Sequence, residues 1–456
     1  MKWLKVLGLD RAIAYTFLAR VTGILGSAGT VLLIAKRLTP VEQGFYYTLL
    51  SLVSLQLVFE LGFSFVLQQM AAHECVRLTM HPDGLVEGER GALLRLASVL
   101  QLTVRWYTAA AVLMAGLLTP AGFYFFQTHA AGARVHWQAP WILASLASSL
   151  GLWATPLYSF LEGCGEVRAV AAMRFRQSIA AAVMAWTALL LHHGLYAPAL
   201  VIVGQSGAGM WFVLARWRLL RNLLHLAIEG RGVDWMREVW PFQWRIAVSW
   251  LCTYFSSQVF IPILFAARGA VEAGQMGMSL SVTGYMIVLA LAWNSTKATP
   301  FGQMIARREY AALDRLFRRT LAQSMAVYLA LGVTVLATVA ALGEYFPGLA
   351  ARMLPLTGFL LLIAAAGANT AVQNMATLLR SFKREPFLLQ SIAVAACTVG
   401  LAWLTARQWG AAGAEWSYVA AMCGIALPSA AAIYTRSRRA YLELNGLPQL
   451  AERNAA

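Results

Sequence analysis

Charge is scarce in this chain, and negative charge scarcest: Asp and Glu number 20 in 456 residues, Lys and Arg 36, and all four types together make up 12%. An ordinary soluble domain carries about 25% charged residues, so a soluble globular protein is excluded. No Walker phosphate-binding sequence occurs, which removes ATP as the direct source of drive. The five cysteines (Cys75, Cys164, Cys252, Cys397 and Cys423) are odd in number and scattered, and they make neither a disulfide framework nor a zinc spacing. His73-Glu74 and His192-His193 lack a second pair at ligand distance in the sequence, so they read as solvated interfacial histidines. Long polar stretches are also missing, which leaves no room for a sizeable soluble domain and none for a basic fold that would hold nucleic acid.

Hydrophobic residues fill that space, at 59% of the chain with a mean hydropathy of +0.62. Apolar runs of about 20 residues recur, each long enough to cross a hydrocarbon core of about 30 Å as a helix. About twelve such runs can be placed, centred near Leu25, Leu55, Met114, Leu150, Ala185, Gly207, Phe255, Ile287, Leu331, Ile363, Thr398 and Met422. The opening, with Lys2 and Lys5 before an apolar stretch, resembles a signal peptide but is too long and leads directly into further spans. Lys and Arg in short loops stay cytoplasmic. Arg77, Arg90, Arg168, Arg174, Arg216, Arg221, Arg308, Arg318, Arg384 and Arg438 fall on one side of the twelve-span plan, and few basic residues fall on the other. Both termini are therefore expected in the cytoplasm. The net charge of +16 serves topology and attraction to anionic lipid heads.

The chain repeats itself. Val41-Glu42-Gln43-Gly44 follows the first span and Val271-Glu272-Ala273-Gly274 the seventh, while Gln177-Ser178-Ile179-Ala180 opens the fifth and Gln390-Ser391-Ile392-Ala393 the eleventh. An even number of spans per half keeps the repeats parallel, related by an axis along the membrane normal. The expected object is an all-α polytopic membrane protein of about 12 transmembrane helices, arranged as two pseudo-symmetric six-helix bundles around a central cavity. The bundles are expected at 1–220 and 241–440, with a cytoplasmic amphipathic connector at 221–240 and a cytoplasmic tail at 441–456. Gly23, Gly26 and Gly29 predict close helix packing. Pro156, Pro198, Pro262 and Pro428 lie within or close to spans and predict kinks. Leu93 to Tyr107 and Arg216 to Trp240 read as basic amphipathic segments lying in the interface plane.

Polar groups inside spans mark candidate sites, because a charge in hydrocarbon is costly without a partner or a wet cavity. Arg20 interrupts the first apolar run, and Glu60 in the returning second span can meet it at one depth. Two readings stay open: an ion pair that mutes both charges, or an Arg20 that takes an anionic group with Glu60 as a proton-responsive partner. Arg245 opens span seven after Gln243, either as an interfacial anchor or as a fork matched to phosphate oxygens. Lys297, in Trp293-Asn294-Ser295-Thr296-Lys297, either snorkels or touches substrate. Asn369, Gln373 and Asn374 cluster on little more than one turn, suited to sugar hydroxyls or to helix-to-helix hydrogen bonds.

Lys36-Arg37-Leu38-Thr39-Pro40-Val41-Glu42-Gln43-Gly44-Phe45-Tyr46, Phe59-Glu60-Leu61-Gly62, Trp240-Pro241-Phe242-Gln243-Trp244-Arg245 and Val271-Glu272-Ala273-Gly274-Gln275-Met276-Gly277 resemble bacterial polysaccharide biosynthesis proteins of the O-antigen flippase type. Those proteins belong to the multidrug, oligosaccharidyl-lipid and polysaccharide (MOP) exporter superfamily, and the resemblance covers essentially the whole chain. It implies a V-shaped, MATE-like fold and alternating access in the bacterial inner membrane. It also implies movement of undecaprenyl-diphosphate-linked oligosaccharide, an O-antigen or exopolysaccharide repeat unit, from the cytoplasmic to the periplasmic leaflet. A cationic cavity is implied too, which Arg20, Arg245 and Lys297 match by charge and not by a residue-exact motif. The related lipid II flippases carry two additional helices not found here, which disfavours that substrate. The implied partners are the lipid-linked oligosaccharide, the bilayer, and the polymerase and glycosyltransferases of the same pathway, with no nucleic acid. No cofactor is expected; H+ or Na+ coupling stays open.

Two alternatives belong to other classes. A multidrug exporter would want acidic groups in the cleft, where only Glu60 and Glu162 offer themselves. A membrane polymerase or glycosyltransferase would show a long outer loop or a paired-carboxylate site, and the outer loops here are short and poor in Asp and Glu.

Overall fold

A computed structural model of the chain describes residues 11–455 apart from 81–84, 131–133, 228–232, 296 and 383–385. The side chains of some helical residues, Arg20 among them, also lie outside the described residues. The protein is a multi-pass, almost wholly α-helical membrane protein that divides into two compact units, Met1–Leu251 and Cys252–Ala456.

Unit 1 begins with α1 (Arg11–Arg37), α2 (Pro40–Val53), α3 (Gln56–Glu60) and α4 (Phe63–Cys75). A two-stranded antiparallel hairpin, β1 (Leu78–Met80) with β2 (Val86–Gly88), pairs Thr79 with Glu87. There follow α5 (Arg90–His129), α6 (Gln138–Gly163), α7 (Val167–Leu190), α8 (Ala197–Ala215), α9 (Trp217–Leu224) and α10 (Trp240–Ser257), the last running into unit 2. Unit 2 continues with α11 (Phe260–Arg268), α12 (Ala270–Ser295), α13 (Ala298–Ala306), α14 (Tyr310–Tyr345), α15 (Pro347–Ala350), α16 (Leu356–Arg380), α17 (Leu388–Val419) and α18 (Leu427–Ala455). The expected tail from 441 onward is the continuation of α18.

All the expected span centres lie on helical segments except Leu55, which sits in a break between α2 and α3. Among the described residues, six helices are long and apolar enough to cross a membrane by length and composition, or up to seven if α10 and α11, bent by 41°, form one span. Of the other helices, α7 carries Arg168, Arg174 and Arg176 in its first ten residues, and the second span is cut into short pieces.

Local chemistry explains the element ends. Thr39 and Glu42 form a capping box before α2, with the Thr39 N–H donating to Glu42 Oε2 at 2.8 Å and the Glu42 N–H to Thr39 Oγ1 at 3.2 Å. Its repeat counterpart, Glu272, does something else: it accepts the N–H of Ala411 at 2.8 Å, beside Gly410, where α17 is broken at φ 60°, ψ −137°. The other repeat pair behaves alike in both units. Gln177 Nε2 donates to the Gln205 carbonyl at 2.9 Å and Gln390 Nε2 to the Ala426 carbonyl at 2.6 Å, each side chain pinning backbone of the following span.

Glycines in unit 1 let helices approach, as expected of Gly26 and Gly29: a Cβ would meet Ala182 at 3.0 Å and Trp186 at 2.7 Å on α7. The tightest approach to the backbone of another helix is at the end of α6, where a Cβ on Gly163 would lie 2.4 Å from the Gln68 carbonyl oxygen and 2.9 Å from the Ala71 methyl of α4. Backbone cannot rotate out of the way as a side chain can. Gly163→Ala is therefore expected to force α4 and α6 apart and to cost roughly 1–3 kcal/mol, seen as a lower thermal midpoint of the detergent-solubilised protein. An unchanged midpoint would refute the contact. All five cysteines are free thiols.

Leu93 to Tyr107 is not a separate in-plane segment but the first part of α5. No proline falls between Arg90 and Pro120, and a 40-residue helix is about 60 Å long, well beyond a hydrocarbon core of about 30 Å. The connector docks on this part. Gln101 Nε2 donates to the Leu224 and Leu226 carbonyls at 3.1 and 2.9 Å, the Val233 N–H donates to Ser98 Oγ at 3.1 Å, and Trp235 packs edge-on against Phe63. Arg95 reaches Glu74 at 2.9 Å and Glu238 at 2.6 Å. Its hydrogen bond holds the Glu238 carboxyl below the ordinary carboxylate range. A depressed folded value means that the contact is at full strength above the ordinary Glu value of about 4.3 and is lost as pH falls through the lower folded value. Amide exchange across 235–239, corrected for intrinsic rates, is expected to be less protected at about pH 3 than at neutrality, and equal protection would refute the link.

Candidate functional site

In unit 1 the second span breaks at the Phe59-Glu60-Leu61-Gly62 motif. Leu61 and Gly62 both take left-handed backbone, at φ 52° and 65°. For glycine that conformation is free of strain, but for leucine it costs about 1–2 kcal/mol, so the surroundings must hold it. Side chains satisfy the carbonyls that the break releases. Gln243 Nε2 donates to the Leu61 carbonyl at 2.7 Å and the Tyr107 hydroxyl donates to the Glu60 carbonyl at 3.2 Å. The Glu60 carboxylate is 9% exposed and accepts the Ser64 hydroxyl at 2.9 Å. Gln243 is 3% exposed, and its Oε1 finds no hydrogen-bond partner among the described residues. The structure thus brings Glu60 close to the segment that carries Arg245. The Arg245 side chain is exposed, lies over the Trp244 ring at 5.6 Å, and meets no carboxylate among the described residues. Arg20 is on α1, but its side chain, and with it the expected pairing to Glu60, lies outside the described residues.

In unit 2 the remaining candidates converge through Asn294. Its Nδ2 donates to the Asn374 carbonyl at 3.3 Å, and its own carbonyl accepts the Lys297 N–H at 2.9 Å. Lys297 caps α13, half-buried. Asn374 is fully buried: its Nδ2 donates to Ser324 Oγ at 3.0 Å and to the Thr370 carbonyl at 2.8 Å. Of the two readings open for it, these contacts match helix-to-helix hydrogen bonding, because Nδ2 joins α16 to α14. Gln373 Nε2 donates to Asn369 Oδ1 at 3.2 Å. Both are half-buried, so of the three amides they alone present surface to a ligand.

Glu415 escaped the sequence reading. It is 4% exposed and packs against the bare backbone of Gly358, where a Cβ would fall 2.5 Å from its Oε1. An acidic residue in the last apolar run, between Ala414 and Trp416, was the available signal. Among the described residues, no group of three or more His, Cys, Asp or Glu side chains could hold a metal ion.

No family model matches the sequence, and no curated protein matches it. Solved structures do match. The outward-facing conformation of a multidrug resistance MATE family transporter of the MOP superfamily superposes with a TM-score of 0.55 at 13% identity, over 94% of this chain and 95% of that one. A mutant MATE transporter of Vibrio cholerae gives 0.57 at 14% identity, over 95% and 98%. A MOP superfamily transporter from Pyrococcus furiosus, whose reversed binding-pocket polarity suggests a different function for it, gives 0.53 at 12% identity, over 95% of each chain. At such identities the likeness establishes the fold: this chain has the MATE-type transporter fold along almost its whole length.

Proposed function

We propose that the protein is a flippase of the MOP type that carries undecaprenyl-diphosphate-linked oligosaccharide from the cytoplasmic to the periplasmic leaflet of the bacterial inner membrane by alternating access. The observation that carries this reading is the state of the basic candidates: the Arg245 and Lys297 side chains have no carboxylate partner among the described residues, while the acids Glu60 and Glu415 are buried. Guanidinium and ammonium groups left without a counter-charge suit a diphosphate. Half-buried Asn369 and Gln373 suit sugar hydroxyls. Such groups replace the water that a polar head would lose in crossing hydrocarbon, and the polyprenyl tail stays in lipid. Arg20 is proposed as a further diphosphate contact. Glu60, with the free Gln243 Oε1 nearby, is proposed as the group that responds to H+ or Na+.

Deletion of the gene should cause an undecaprenyl-diphosphate oligosaccharide to accumulate, facing the cytoplasm, as read by mass spectrometry of extracted lipids. A normal lipid profile with altered drug tolerance would favour the second reading, a multidrug exporter, which the two buried acids and the multidrug transporter of the same fold support. Both termini are proposed to be cytoplasmic. Cysteine labels at exposed Gly348 should react from outside and those at exposed Arg308 only once the inner face is opened. The reverse pattern would remove the export direction.

A further inference from the structure

Helix α5 presents an open, shallow groove along the face formed by Val104, Arg105, Thr108, Ala109, Val112 and Leu113. These residues follow the three- and four-residue spacing that sets side chains above one another on a helix. Two of them are polar. Arg105 is exposed and has no carboxylate partner among the described residues. Arg95, Arg174 and Arg216 of the same unit, by contrast, reach Glu74, Glu162 and Glu166.

Thr108 is unusual in a different way. Most helical threonines here donate their hydroxyl to the carbonyl four residues back, as Thr103 does to Val99 and Thr155 to Gly151. Thr108 instead accepts a hydrogen bond from Trp153 Nε1 at 3.0 Å. Its own proton is given to no carbonyl among the described residues, so the hydroxyl keeps a donor to offer, one helical turn from Arg105. Trp153 stands ten residues before the Gly163 end of α6, about 15 Å along the helix. Arg105 is therefore roughly one turn closer to that end, within reach of a side chain that extends toward the interface.

Two donors with no acid beside them call for an anion, and the guanidinium fork matches a group with two coplanar oxygens. The rest of the lining, Val104, Ala109, Val112 and Leu113, is hydrocarbon, so the anion must bring hydrocarbon with it. We infer that this groove holds an anionic membrane phospholipid, its phosphate on Arg105 and Thr108 and an acyl chain along Val112 and Leu113. The site is separate from the residues proposed for cargo, and the inference stands whichever cargo is moved.

The test is native mass spectrometry of the full-length protein released from nanodiscs of phosphatidylcholine with a minor share of phosphatidylglycerol. Wild type should retain phosphatidylglycerol selectively, Arg105→Gln should lose that selectivity about tenfold, and Arg105→Lys should keep part of it. Thr108→Val also removes the acceptor for Trp153, so Thr108→Ser serves as the folding-neutral companion and should behave as wild type. The exposed Arg319→Gln is the control for general loss of charge. Equal retention by wild type and Arg105→Gln would leave Arg105 as a snorkelling residue and overturn the proposal. So would an equal loss in Arg319→Gln. Displacement by millimolar inorganic phosphate would point to a free anion, and displacement by a trace of undecaprenyl phosphate to a polyprenyl lipid; either would overturn the phospholipid assignment.

Discussion

Gly410→Ala is expected to destabilise unit 2 by roughly 3 kcal/mol, the sum of two separate penalties of about 1–3 kcal/mol each. The first is conformational. At φ 60°, ψ −137° the backbone occupies a region that side chains rarely enter. The second is steric, since a Cβ there would lie 2.4 Å from Glu272 Oε2, the atom that accepts the Ala411 N–H. Moving Glu272 frees that amide inside the break. Gly400→Ala is the control: it lies in the same helix, has open space around it, and is expected to be neutral or slightly stabilising. Thermal midpoints of both variants in one detergent would decide the matter. A Gly410→Ala protein as stable as Gly400→Ala would mean that the turn between the last two apolar runs is not built as described.

Arg438→Ala should be the next most damaging change. The Asp314 carboxylate on α14 is 4% exposed and receives Arg438 in two parallel hydrogen bonds, Nε to Oδ1 at 2.6 Å and Nη2 to Oδ2 at 2.8 Å. Removing one partner of a buried pair typically costs about 3–5 kcal/mol because the remaining charge is stranded. Arg318 stays at 3.2 Å from Asp314, so a smaller cost of about 2 kcal/mol is expected here. The double variant Asp314→Asn with Arg438→Ala should recover part of the loss, because no buried charge is then left unpaired and the remaining Arg318 is exposed. A double variant less stable than the sum of the single changes would show that the pair does not act as a unit.

The candidate site was legible in uneven measure. Glu60 stood out as an acid in an apolar run, and with Gly62 it proves to flank a helix break. Nothing in the local pattern showed that Gln243, far along the chain, would cap that break at the Leu61 carbonyl. Asn369, Gln373 and Asn374 looked equivalent on one turn of helix. Their fates differ because Asn374 alone points at Ser324 of α14. The two Val-Glu motifs looked like one repeated device, yet Glu42 caps its own helix while Glu272 reaches the backbone at Ala411, 139 residues on.

Membrane residence, the position of nearly every helix and the pairing of Gln177 with Gln390 were determined by the sequence alone. Hydropathy and helical periodicity are local properties, and an amide at the same register of two repeats meets the same kind of neighbour in each. Only the tertiary structure decided where helices break, which polar side chains are consumed within a unit, and which, like Arg105, have no carboxylate partner among the described residues. Hydrogen bonds and ion pairs are settled by distance in space, and residues far apart in the chain supply most of the partners that decide whether a buried polar group is satisfied or free.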